Sequence, residues 1–151
     1  MDIKLFFEEK VPSEWFLGPP TIAYDEEEIL CVGVLTPGAT IARFREETRP
    51  KRMAIAEEAQ SLFGRRVSWG VEIDGVTTLF TNYSSPVTTS LRIRERAVLD
   101  TLIDAGIAVS RNEALAWCVK LVARHQAEWL TELREALVSA DQFQAAEPTL
   151  I

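Results

Sequence analysis

Three groups of residues in this chain have the types and spacing to meet a ligand. In Val87-Thr88-Thr89-Ser90-Leu91-Arg92-Ile93-Arg94, apolar and polar side chains alternate. An extended backbone would put Val87, Thr89, Leu91 and Ile93 on one face and Thr88, Ser90, Arg92 and Arg94 on the other. One face suits a core, the other water or a ligand. Ser110-Arg111-Asn112-Glu113 spells a capping box, with the Ser110 hydroxyl accepting from the Glu113 amide and the Glu113 carboxylate accepting from the Ser110 amide. A second helix starts there. The densest basic stretch is Arg43, Arg45, Arg49, Lys51 and Arg52, followed by Arg65 and Arg66. Glu46, Glu47, Glu57 and Glu58 dilute it, and a helix face of mixed Arg and Glu is ordinarily solvated, so phosphate contact there is the lesser expectation.

Other chemistries find little footing. His125 is the single histidine, which removes triads and metal clusters built on histidine. There is no glycine-rich phosphate loop, no nucleophile elbow and no convincingly spaced carboxylate pair. The expectation is therefore no catalytic residue, no cofactor and no metal, hence no enzyme. Asp25-Glu26-Glu27-Glu28 reads as a solvated turn, because nothing nearby adds ligands with calcium-loop spacing. Cys31 and Cys118 sit in apolar company, where buried reduced thiols are usual. The four tryptophans, Trp15, Trp69, Trp117 and Trp129, read as core or dimer-interface anchors.

Composition sets the frame for these groups. With 47% hydrophobic and 26% charged residues among 151, the chain has the makings of a packed core. No apolar run approaches the roughly 20 residues that span a bilayer. The opening MDIKLFFEEK carries acids where a secretory signal would carry bases, so the expectation is a cytoplasmic protein away from membranes. The net charge of −7 opposes indiscriminate nucleic-acid binding, so any DNA site has to be local. The stretch from Val87 onward is the less acidic part, with 7 basic and 9 acidic residues against 9 and 14 before it.

The elements that would position these groups follow from periodicity. Ile3, Leu5 and Phe7 alternate as in a short strand, and Pro12-Ser13-Glu14-Trp15 suits a helical turn. Thr21 to Tyr24 and Ile29 to Leu35 read as a hairpin with an acidic bend. A helix follows through Phe63, with Pro50 in its first turn, Met53, Ile55, Ala56, Ala59, Leu62 and Phe63 as its apolar stripe, and Gly64 as its stop. Val67, Trp69, Val71 and Ile73 share one face of a strand that turns at Asp74-Gly75 and returns over Val76 to Tyr83. Ser84-Ser85-Pro86 marks a boundary. Beyond it, Val98, Leu99, Leu102 and Ile103 give Arg96 to Ala105 a helical stripe that Gly106 ends. The Ser110-capped helix presents Leu115, Cys118, Val122 and Trp129, and an amphipathic stretch of Trp129, Leu130, Leu133 and Leu137 follows.

Strand, helix, glycine turn and Ser-capped second helix succeed one another in LRIRERAVLDTLIDAGIAVSRNEALAWCVKLV. In that order the segment resembles the ribbon-helix-helix family of Arc-, MetJ- and CopG-like repressors and antitoxins. The resemblance implies a homodimer whose paired strands enter the major groove of double-stranded DNA. Thr88, Ser90 and Arg92 would then read bases, while Arg94, Arg96, Ser110, Arg111 and Asn112 would hold phosphates. A strand at 87–94 pairs either between two chains or with Val76 to Tyr83 of its own. The expected whole is α+β: a sheet-and-helix part over 1–86 with a possible protein partner, a ribbon-helix-helix module with helical extension over 87–137, and a weakly ordered tail over 138–151. The expected function is sequence-specific transcriptional regulation. The alternative is a dimeric interaction module without DNA binding, including antitoxin-like partner binding.

Overall fold

The computed structural model describes residues 1–138, so the expected tail, apart from Val138, lies outside the described residues. The protein is α+β. It divides into two compact units, Met1–Val87 and Thr88–Ile151.

The first unit is a four-stranded sheet in the order β1-β2-β3-β4, with two helices. Strands β1 (Thr21–Tyr24) and β2 (Glu28–Val34) form the expected antiparallel hairpin. Its bend is fixed by the Asp25 carboxylate, which accepts from the amides of Glu27 at 2.8 Å and Glu28 at 2.9 Å. Helix α2 (Ile41–Phe63) carries the chain to β3 (Arg66–Ile73), which lies parallel to β2. A two-residue turn at Asp74 (φ 50°) and Gly75 (φ 79°) leads to β4 (Val76–Leu79), antiparallel to β3. Both residues take the left-handed conformation that an Asp-Gly hairpin turn requires.

The core of this unit lies on one side of the sheet. Ile29 and Cys31 of β2 and Trp69 and Val71 of β3 alternate inward, meeting Ile55 and Ala59 of α2 and Phe6 and Phe7 of helix α1 (Ile3–Lys10). Edge-on aromatic pairs link Phe7 to Trp69 and Phe6 to Phe63, and Trp15 to both Phe44 and Trp69. At Gly33 the Phe16 ring takes the space of a side chain, since a Cβ there would lie 2.2 Å from ring carbons. Trp15 and Trp69 are thus core anchors, as their sequence surroundings suggest.

Two expectations fail here for physical reasons. Ile3 to Phe7 is helical, not a strand: Asp2 caps the helix by accepting from the Lys4 amide at 2.7 Å, and Ile3, Phe6 and Phe7 are the buried positions, at helical spacing. Leu5, which the alternation placed inward, is exposed. Pro50 lies nine residues inside α2 and not in its first turn. Ile41 and Phe44 pack on the core and extend the helix upstream, where proline costs one backbone hydrogen bond.

Among the described residues the second unit has helices α3 (Ile93–Asp104), α4 (Arg111–His125) and α5 (Ala127–Val138). Gly106, at φ 77°, makes the turn after α3, and Ser110 is the N-cap of α4. The buried cluster holds Leu99, Ala108 and Ala114, with Leu91, Leu102, Ile103, Leu115 and Cys118 packed partly against it. Ile93, Val98, Val109, Val119 and Val122 remain exposed. Among the described residues no helix is long and apolar enough to cross a membrane.

Candidate functional site

The α3–α4 pair is locked by local polar contacts. The Ser110 hydroxyl accepts from the Glu113 amide at 3.1 Å, as the capping box requires. The Glu113 carboxylate reaches back one residue further than expected and accepts from Val109 at 3.2 Å. Among the described residues the amides of Arg111 and Asn112 have no acceptor, so both remain available at the positive end of the helix dipole. The Arg111 guanidinium is engaged: Nε and Nη2 each donate to Asp100 at 2.9 Å. That bond lowers the Asp100 pKa from its ordinary 3.8 and raises that of Arg111. A phosphate at this helix end would meet Arg111 with Asp100 already beside it.

Thr88, Ser90 and Arg92 are exposed on the segment 81–92, which forms neither helix nor strand in the single chain. The expected strand through Arg94 gives way to helix at Ile93, because Leu99, Leu102 and Ile103 draw the whole of α3 onto α4. Arg94 and Arg96 therefore belong to the first turns of α3, not to a ribbon's end. The Arg96 guanidinium donates to the Leu91 carbonyl and so ties this segment to the helix. The expected strand over Val76 to Tyr83 is shorter: β4 ends at Leu79, and its partner is β3. Arg92 and Arg94 form no ion pair among the described residues.

The first unit holds a second constellation, which the sequence reading placed on a solvated face. A cleft of about 850 Å³ between α2 and the β3–β4 hairpin is lined by Arg45, Arg49 and Arg52 together with Glu46, Trp69 and Phe80. Arg52 is 4% exposed. Its Nε donates to Thr48 Oγ1 at 2.9 Å and its Nη2 to the Arg45 carbonyl at 2.6 Å. Arg45 donates to the Phe80 carbonyl at 3.1 Å, and both guanidiniums lie over the Phe80 ring, at 5.4 Å for Arg45 and 4.9 Å for Arg52. Burial, together with the charges of Arg45 and Arg49, lowers the Arg52 pKa. The signal for its burial was in the spacing, since Thr48, Arg52, Ile55 and Ala59 occupy one helical face.

Two family models match the chain: one described as the Rv1265-like protein N-terminal domain over residues 1–79, the other as the Mb1296 C-terminal domain over residues 92–144. Between them lies nearly all of the segment without helix or strand. The chain is 49% identical over 158 aligned residues to the uncharacterized protein Mb1296 of Mycobacterium bovis, covering 96% of this chain and 70% of that protein. The same figures hold for the uncharacterized protein Rv1265 of Mycobacterium tuberculosis. No solved structure matches.

Proposed function

The chain belongs to the Rv1265-like protein family, and from there we propose that it is a cytoplasmic, dimeric, sequence-specific DNA-binding regulator of the ribbon-helix-helix kind and not an enzyme. The observation that carries this reading is the incompleteness of the second unit. Leu99 is its one large buried side chain among the described residues, while Ile93, Val98, Val119 and Val122 stand exposed and the preceding segment 81–92 joins no sheet among the described residues. A unit of this size rarely holds a fold on so small a core, and an unpaired segment of alternating side chains is a template for strand addition. A second copy would supply both the missing apolar cover and the missing strand. Thr88, Ser90 and Arg92 would then line the outer face of the ribbon, with the free amides of Arg111 and Asn112 on flanking phosphates.

One observation favours a second reading, a dimeric protein-interaction module. Arg96 and Arg111 are already engaged within the unit, while Arg92 and Arg94 form no ion pair among the described residues. Selection of duplexes from a random library at near-physiological salt, with Arg92→Ala in parallel, separates the two. A regulator enriches a short, two-fold symmetric site that the variant loses. Enrichment by neither protein overturns the DNA reading and leaves the interaction module.

A further inference from the structure

We propose that the cleft between α2 and the β3–β4 hairpin binds a small molecule carrying an oxyanion, a phosphate monoester, on a flat apolar body. The proposal stands on the first unit alone and does not depend on the DNA reading. Three guanidiniums line this cleft against one carboxylate, that of Glu46. Among the described residues none of the three forms an ion pair, although Arg43, two residues before Arg45, is held by Glu47 at 2.8 Å. A solvated arginine needs no partner, but Arg52 is buried, and a cation removed from water is costly without a counter-charge. Its internal contacts are with a hydroxyl, a carbonyl and the face of Phe80, none of which neutralises it.

A second observation points to the same place. Trp69 lines the cleft and is 2% exposed, yet its Nε1–H is the buried side-chain polar atom that finds no acceptor among the described residues. Buried donors are nearly always satisfied, so an orphan on a residue lining the same cleft as three arginines marks a place for an acceptor. The fork geometry of arginine matches oxyanions, and the surplus of positive charge matches a dianion better than a monoanion. Of the remaining lining, which also includes Thr78 and Thr81, Ile41, Met53, Val67, Leu79 and Phe80 suit an apolar body.

Arg49 is the decisive test position, because it is exposed and its side chain makes no hydrogen bond among the described residues. The full chain is titrated calorimetrically with phenyl phosphate, inorganic phosphate, benzoate and benzyl alcohol, while the Trp69 indole N–H resonance reports position. Phenyl phosphate is expected to bind saturably, more tightly than inorganic phosphate, and to move that resonance. Arg49→Gln should weaken it about tenfold, the loss of one charge-assisted contact, with Arg43→Gln unchanged. Arg52→Lys, which keeps the charge and loses the fork, should weaken it as well. Absence of saturable binding, equal binding of benzyl alcohol, or an unchanged affinity in Arg49→Gln would overturn the site. Benzoate binding as tightly as phenyl phosphate would overturn the phosphate assignment in favour of a carboxylate.

Discussion

Asp100 and Arg111 sit on successive helices of the second unit, and their bidentate bond gives that unit an acid-sensitive contact. The folded pKa of Asp100 lies below the ordinary 3.8, chiefly because of the Arg111 hydrogen bond. The carboxylate therefore contributes its stability in full above the unfolded value and loses it as pH falls through the lower folded one. Carboxyl titration by NMR should find Asp100 below the ordinary 3.8, and Arg111→Ala should raise it. An unmoved Asp100 in that variant would show that the bond does not persist in solution. At the other extreme stands Cys31, whose thiol is pushed up to about 12 by burial and is thus un-ionised at neutral pH. The sequence identified both cysteines as thiols among apolar neighbours but could not separate the inert Cys31 from the half-buried Cys118.

At the scale of elements, legibility follows how local the determinants are. The Asp74-Gly75 hairpin, the Gly64 stop and the Ser110 cap each depend on a few adjacent residues, and each is found where its residues place it. The Ser110 cap can be weighed directly: Ser110→Ala should destabilise the protein by about 1 kcal/mol, measured by urea unfolding, with Ser110→Asn close to neutral. A loss much below that would mean that Glu113 and Val109 hold the helix start without the hydroxyl. What escaped the sequence was decided by packing at a distance. Ile3 to Phe7 fits a strand as well as a helix until Phe63 and Trp69 are known to wait for Phe6 and Phe7. Arg52 looks solvated among its glutamates until Phe80, from the far side of the sheet sequence, lies beneath its guanidinium. The alternating run at Val87 to Arg94 yields in the single chain to the pull of α4 on α3.

For the whole molecule, the sharpest expectation concerns assembly. If the second unit completes its core with another copy, the protein should sediment at twice its 17.0 kDa at micromolar concentration. Val119→Glu tests this, because Val119 is 63% exposed in the single chain and its replacement should leave an isolated protomer unharmed. In a dimer the same change would bury an unpaired charge and weaken association by at least about tenfold. A wild-type protein that remains monomeric, or a variant with unaltered dimerisation, would remove this face from the interface.

The parallel seam between β2 and β3 has a consequence for how the molecule comes into being. On either side of it lies a hairpin that closes over two or three residues, whereas the seam itself unites segments separated by all of α2. Nascent hairpins can therefore appear early and wait, since joining them demands closure of a long loop that no contact rewards until the helix has docked. During that delay β2 and β3 each present a bare, apolar edge. The most exposed moment in the life of this protein is thus its synthesis, when another chain can occupy the seam before its own partner strand arrives.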